Sequence, residues 1–129
     1  MSASGINNRE MALMHAVFRH LTDIREVILF GSRAKGVHVP QSDIDLALVG
    51  VVDDLRAEVV AEALDLLPMP YHFDVKPYEG IRYRPLLEHI KRVGVTIYRQ
   101  EEHGFLSDLD REPAVLDALW GLRFLGVGR

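Results

Sequence analysis

At 129 residues, 48% of them apolar and 26% charged, the chain has enough material for one packed core and too much of it apolar for a disordered reading. A formal net charge of −4 lacks the basic surplus of a sequence-blind nucleic-acid binder, so no direct nucleic-acid binding is expected. The absence of cysteine excludes disulfides, thiol catalysis and CxxC zinc sites.

The leader Met1 to Asn8 shows no basic stretch followed by an apolar run, the pattern of a signal peptide. No stretch approaches the roughly 20 apolar residues that span a bilayer, so a cytoplasmic protein without membrane contact is expected. Asn7 or Asn8 caps a helix expected over about Arg9 to Thr22, with Met14, Val17, Phe18 and Leu21 in one buried stripe. Glu26 to Phe30 reads as a buried strand, stopped by Gly31-Ser32, and Ile44 to Val49 as a second. Asp53-Asp54 opens a helix that ends before Pro68, with Leu55, Val59, Ala63 and Leu66 on its inner face. Tyr71 to Val75 reads as a third strand closed by Pro77. Arg84-Pro85 starts a helix that carries Leu86, Ile90 and Val93 and stops at Gly94. Val95 to Tyr98 is a last short strand. Beyond Arg99 the tail is polar until Pro113, where Val115, Leu116, Leu119, Trp120 and Phe124 suggest a closing helix over about 113–125. The expected fold is one α/β (α+β) domain, a small mixed β-sheet with helices packed on it.

The chemistry concentrates in Gly31-Ser32-Arg33-Ala34-Lys35-Gly36 and Ser42-Asp43-Ile44-Asp45-Leu46. Residues two apart on a strand share a face, with Cα atoms roughly 6.5–7 Å apart, so Asp43 and Asp45 aim at one spot. Paired carboxylates repel unless a cation lies between them, and Mg²⁺ suits, since it takes one or two carboxylates plus phosphate oxygens. An isolated Asp-x-Asp more often marks the solvent face of an edge strand; its neighbours set this one apart. Gly31 lets the backbone approach a ligand closely. If Ser32 begins a short helix, its amides and hydroxyl meet a phosphate, with the charges of Arg33 and Lys35 nearby. The loop is no Walker A: Val37-His38 stands where Lys-Ser/Thr is required. Asp74 shares a strand face with His72, opposite Phe73 and Val75. Beside the Asp43–Asp45 strand it makes a third carboxylate, enough for two metal ions and for a general base.

This pattern resembles the GSRARG…SDIDL signature of the DNA polymerase beta-like nucleotidyltransferase superfamily. More narrowly, it is similar to the minimal nucleotidyltransferases (MNT) paired with HEPN proteins in toxin–antitoxin modules. The resemblance spans about 27–98, including Phe73-Asp74-Val75 and the stretch from Pro85 to Tyr98; Lys35 in place of Arg is its mildest departure. It implies Asp43, Asp45 and Asp74 as catalytic metal ligands and Gly31 and Ser32 as triphosphate binders. It also implies Mg²⁺, two ions with nucleotide bound, and ATP as substrate. The implied reaction is AMP transfer to a tyrosine hydroxyl of a HEPN toxin partner, the activity of a protein adenylyltransferase antitoxin. Transfer to a small-molecule hydroxyl, as on an antibiotic, and a binding-only antitoxin that occludes its partner are the competing readings. Homo- or hetero-oligomers fit any of the three, and the 99–129 extension lies outside the resemblance.

Three other features point elsewhere and are set aside. Arg84 and His89 have the R-x4-H spacing of HEPN RNases, but Lys91 stands where a tyrosine is required. The six histidines show no HExxH or other paired zinc spacing, and only His38 falls near the phosphate loop. The stripe at Leu116, Leu119, Trp120 and Phe124 reads as core or dimer contact rather than a cofactor box.

Overall fold

The first helix, α1 (Asn8–Phe18), starts at a reciprocal cap. The Asn7 side chain accepts from the Glu10 amide at 2.7 Å, and Glu10 accepts from the Asn7 amide at 3.0 Å. Two of the amides that a helix start leaves unpaired are satisfied in this way. The computed structural model describes residues 4–100 and 113–124. After α1 come β1 (Glu26–Phe30), a five-residue helix α2 (Gly31–Lys35), β2 (Ile44–Val49), α3 (Asp54–Asp65) and β3 (Phe73–Pro77). A single 3₁₀ turn (Tyr78–Gly80) leads to α4 (Arg84–Val93), β4 (Val95–Arg99) and α5 (Pro113–Phe124). Among these, no helix is long and apolar enough to cross a membrane.

The four strands form one mixed sheet in the order β3-β2-β1-β4. The β1 strand pairs antiparallel with both β2 and β4, and β2 pairs parallel with β3. This is the small mixed sheet that the sequence leads one to expect. Alternation along the strands sorts side chains between two faces. Val27, Leu29, Ile44, Leu46, Leu48, Phe73 and Val75 join the main core with the buried residues of α1, α3 and α5. On the other face, Phe30 and Ala47 pack with Ile90 of α4, flanked by Ile28, Tyr78 and Leu86. Each fully buried aliphatic or aromatic side chain contributes about 1.5–3 kcal/mol relative to exposure. The same parity puts Asp45, Asp74 and Lys76 on the α4 face.

Several elements depart from expectation. The α1 helix stops at Phe18, not Thr22, and the chain reaches β1 through turns in which Leu21 and Ile24 still enter the core. The inner face of α3 is Ala57, Val59, Val60, Ala63 and Leu64, while Leu55 and Leu66 are 64% and 52% exposed. Small alanines bring this helix close to the sheet, so the bulkier leucines at its ends are not what it buries. The third strand runs from Phe73 through Pro77 rather than stopping short of it. Because β3 is an edge strand, the amide that proline lacks is missed by no neighbour. In α5, Val115 and Ala118 are buried and Leu119 packs against the core, while Leu116 and Trp120 are exposed. The side chain of Phe124 and the polar segment 101–112 lie outside the described residues.

Candidate active site

Three chain segments meet at one end of the sheet: the close of β1, the start of β2 and the start of β3. Register fixes the pairing, with Phe30 opposite Asp45 and Asp45 opposite Asp74. Neighbouring strands lie about 4.8 Å apart, so Asp45 and Asp74 are side-by-side on one face. Asp43 stands one residue before β2 rather than inside it, exposed, yet close enough to repel Asp45.

Asp45 records this crowding. Burial, then the charges of Asp74 and Asp43, push its carboxyl from the usual 3.8 up to about 6, against a smaller opposing pull from Lys76 and Arg33. Gly31 presses on it from the β1 side. Its φ is +76°, and a Cβ there would stand 2.1 Å from the Asp45 Oδ2 atom. Glycine is therefore required twice, by the left-handed backbone and by the approach to the carboxylate. The first amide of α2 has a partner of its own: the Gly31 N–H donates to His89 Nε2 at 3.2 Å. The His89 ring meets the Phe30 ring edge-on, at 6.2 Å between centroids. Thus the histidine that resembles half of an RNase motif holds the glycine turn against α4. The sequence offered no signal for this role, because α4 and the turn meet only in the fold.

The remaining expected residues divide. Ser32, partly buried, sits beside Gly31 at the start of α2, and Lys35 is exposed at its last position. Arg33 turns inward and is only 2% exposed. Its guanidinium donates to the carbonyls of Ser42 (Nε at 3.1 Å, Nη2 at 2.9 Å), Ser4 (2.8 Å) and Pro40 (3.3 Å). It also lies 4.6 Å from the centre of the Tyr71 ring. The structure thus spends the Arg33 charge on the loop that carries Asp43 and does not present it at the face where Asp45 and Asp74 stand. His38, the histidine expected near the phosphate loop, lies close to Gly5, where a Cβ would come within 2.5 Å of its Nε2. Lys76 is the residue that the sequence reading missed. It follows Asp74 by two positions on the same face and pairs with it, Nζ to Oδ1 at 3.5 Å. Strand alternation from Asp74 was the available signal.

The donor set fits a hard divalent cation. It consists of carboxylate oxygens, and at Asp45 like charges and lost water combine to favour a bound proton or metal. The fit is one of chemistry more than of finished geometry. Among the described residues no three acidic, histidine or cysteine side chains already stand together as a ligand set. A cavity of about 520 Å³, lined by Val52, Asp54, Glu79 and Arg82 among others, lies at the opposite end of the sheet, beyond the last residues of β2 and β3. It has no part in the aspartate cluster, which occupies an open face.

A family model described as polymerase beta, nucleotidyltransferase, matches residues 14–103. The chain belongs to this nucleotidyltransferase family. A search of curated proteins finds no match for it. Among solved structures, it resembles a chain of a toxin–antitoxin complex with AMP-PNP, at 20% identity and a TM-score of 0.50, over 90% of this chain and 91% of that one. It also resembles a chain of a mutant MntA–HpeT toxin–antitoxin complex, at 18% identity and 0.52, over 93% and 91%. A third is from tri-AMPylated Shewanella oneidensis HEPN toxin in complex with MNT antitoxin, at 16% and 0.53, over 93% and 88%. At these identities the likeness is one of fold. Asp45 and Asp74, aligned beside the Gly31 turn, are the acidic pair that the strand register brings together.

Proposed function

We propose that this nucleotidyltransferase carries AMP from ATP to a hydroxyl in the presence of Mg²⁺, and that the acceptor is a tyrosine of a HEPN toxin in the cytoplasm. The observation that carries the reading is the cross-strand register of Asp45 with Asp74, with Gly31 closed down on Asp45. Solvent-facing positions on two paired strands have no need of two carboxylates set against each other, nor of a glycine pressed onto one of them. The toxin–antitoxin complexes that share the fold, one with AMP-PNP and one with an AMPylated HEPN toxin, support the choice of nucleotide and acceptor.

In this reading Asp43, Asp45 and Asp74 hold the cations, which supply Lewis-acid polarisation and charge neutralisation at the phosphates. The Gly31-Ser32 turn binds the triphosphate, with the Ser32 hydroxyl as donor and Lys35 as a nearby charge. Asp74 accepts the proton of the attacking hydroxyl. The acceptor oxygen bonds to the α-phosphorus, the bond from that phosphorus to the bridging oxygen breaks, and pyrophosphate leaves. The acceptor tyrosine in this reading belongs to the partner.

The test is mass spectrometry of a co-expressed, neighbour-encoded protein after incubation with the chain, ATP and Mg²⁺. The expected result is a tyrosine bearing AMP. A partner that binds tightly but stays unmodified would replace transfer by occlusion.

A further inference from the structure

The Asp74 carboxylate has a cationic neighbour before any ligand arrives. Lys76 and Asp74 share one face of β3, since Val75 between them faces the main core. The register sets Lys76 beside Ala47, whose methyl group is the smallest side chain on that face of β2. From there its ammonium lies 3.5 Å from Asp74 Oδ1, with both side chains a little over half covered (43% and 44% exposed). The pair is too open to add much stability. Its significance is positional, because the ammonium stands beside one of the two Asp74 carboxylate oxygens, close enough to repel a cation that approaches them. The Lys76 charge also reaches Asp45.

We propose that Lys76 is a positioning residue of this site: its ammonium holds the Asp74 carboxylate in the nucleotide-free chain, and a divalent cation must displace it to bind there. The proposal rests on the nucleotidyltransferase reading of the three aspartates. It implies an order of events. A lone cation meets the repulsion of Lys76 and binds weakly. A nucleotide triphosphate, which brings several negative charges, gives the ammonium another partner and lets cation and nucleotide enter together. Lysine suits this exchange, since its flexible stem moves a point charge with little constraint on geometry.

The experiment is a Mn²⁺ titration by electron paramagnetic resonance on the intact chain, with and without a non-hydrolysable ATP analogue. Wild type, Lys76→Met, Lys76→Arg and Asp45→Asn are compared. Without nucleotide, Lys76→Met should bind Mn²⁺ about three- to ten-fold more tightly than wild type, as loss of a nearby positive charge demands. Lys76→Arg should restore wild-type affinity. With the analogue present, the gap between wild type and Lys76→Met should shrink or reverse. Equal affinities in wild type and Lys76→Met without nucleotide would overturn the role of Lys76 alone. If wild type binds no Mn²⁺ even with the analogue, or Asp45→Asn binds as well as wild type, the underlying assignment of the aspartates fails instead. Circular dichroism of each variant shows that it is folded before its affinity is compared.

Discussion

Half-buried on its strand, Asp45 loses water on one side and meets the charges of Asp74 and Asp43 on the other. In the folded chain its carboxyl titrates at about 6 against an ordinary 3.8, so across that interval the folded state holds more proton than the unfolded one. The contribution of this group to stability is therefore complete below about pH 4, declines as the pH rises, and is gone above about pH 6. Urea unfolding in EDTA should show wild type losing more stability than Asp45→Asn between about pH 4 and pH 7. Added Mg²⁺ should restore wild type at neutral pH and leave the variant unmoved. Equal losses in the two proteins would mean that Asp45 is not the strained carboxylate. The same crowding explains why Gly31 cannot be exchanged freely, since any Cβ there would run into Asp45 Oδ2.

At the scale of elements, Arg33 shows how one side chain can fasten a loop. The segment from Gly36 to Asp43 joins α2 to β2 without regular structure, and the buried guanidinium gathers the carbonyls of Pro40 and Ser42 along with Ser4 from the leader. Arg33→Ala would remove the donor that ties the Ser4, Pro40 and Ser42 carbonyls together and leave a void where a buried side chain stood, and should cost about 2–3 kcal/mol in a urea melt. Arg33→Lys should recover little, because an ammonium cannot reproduce the planar fork. Unchanged unfolding midpoints with weakened nucleotide binding would instead return Arg33 to the phosphate. Nothing in Gly31-Ser32-Arg33-Ala34-Lys35-Gly36 distinguishes an arginine that faces ligand from one that faces its own loop. The motif was legible; the rotation of α2 that decides between Arg33 and Ser32 was not. The β-strands were easier, since Val27 to Phe30 and Leu46 to Val49 are continuous apolar runs that suit a covered sheet. The inner face of α3 was harder: Val59 and Ala63 lie on it as expected, but Ala57 gives no hydropathic contrast with Leu55 and Leu66, which stay outside.

Across the whole molecule, the order β3-β2-β1-β4 is what turns scattered residues into a site. The turn at Gly31 and the two aspartates on β2 and β3 come from three separate segments, brought together because β1 ends where β2 and β3 begin. That convergence was foreseeable once Asp74 was placed on a strand beside Asp45. The contact made by His89 was not, since it depends on how α4 lies over β1, whereas Lys76 was legible from its spacing of two from Asp74 on one strand. The central claim is that these carboxylates transfer a nucleoside monophosphate. The most direct measurement follows radioactive phosphorus from ATP labelled at the α- or the γ-position onto the acceptor protein, in wild type, Asp45→Ala and Asp74→Asn. Wild type should transfer the α-label and release the γ-label as pyrophosphate, while both variants, still folded, slow by about a hundredfold or more. A γ-label on the acceptor, or undiminished transfer by either variant, would contradict the account.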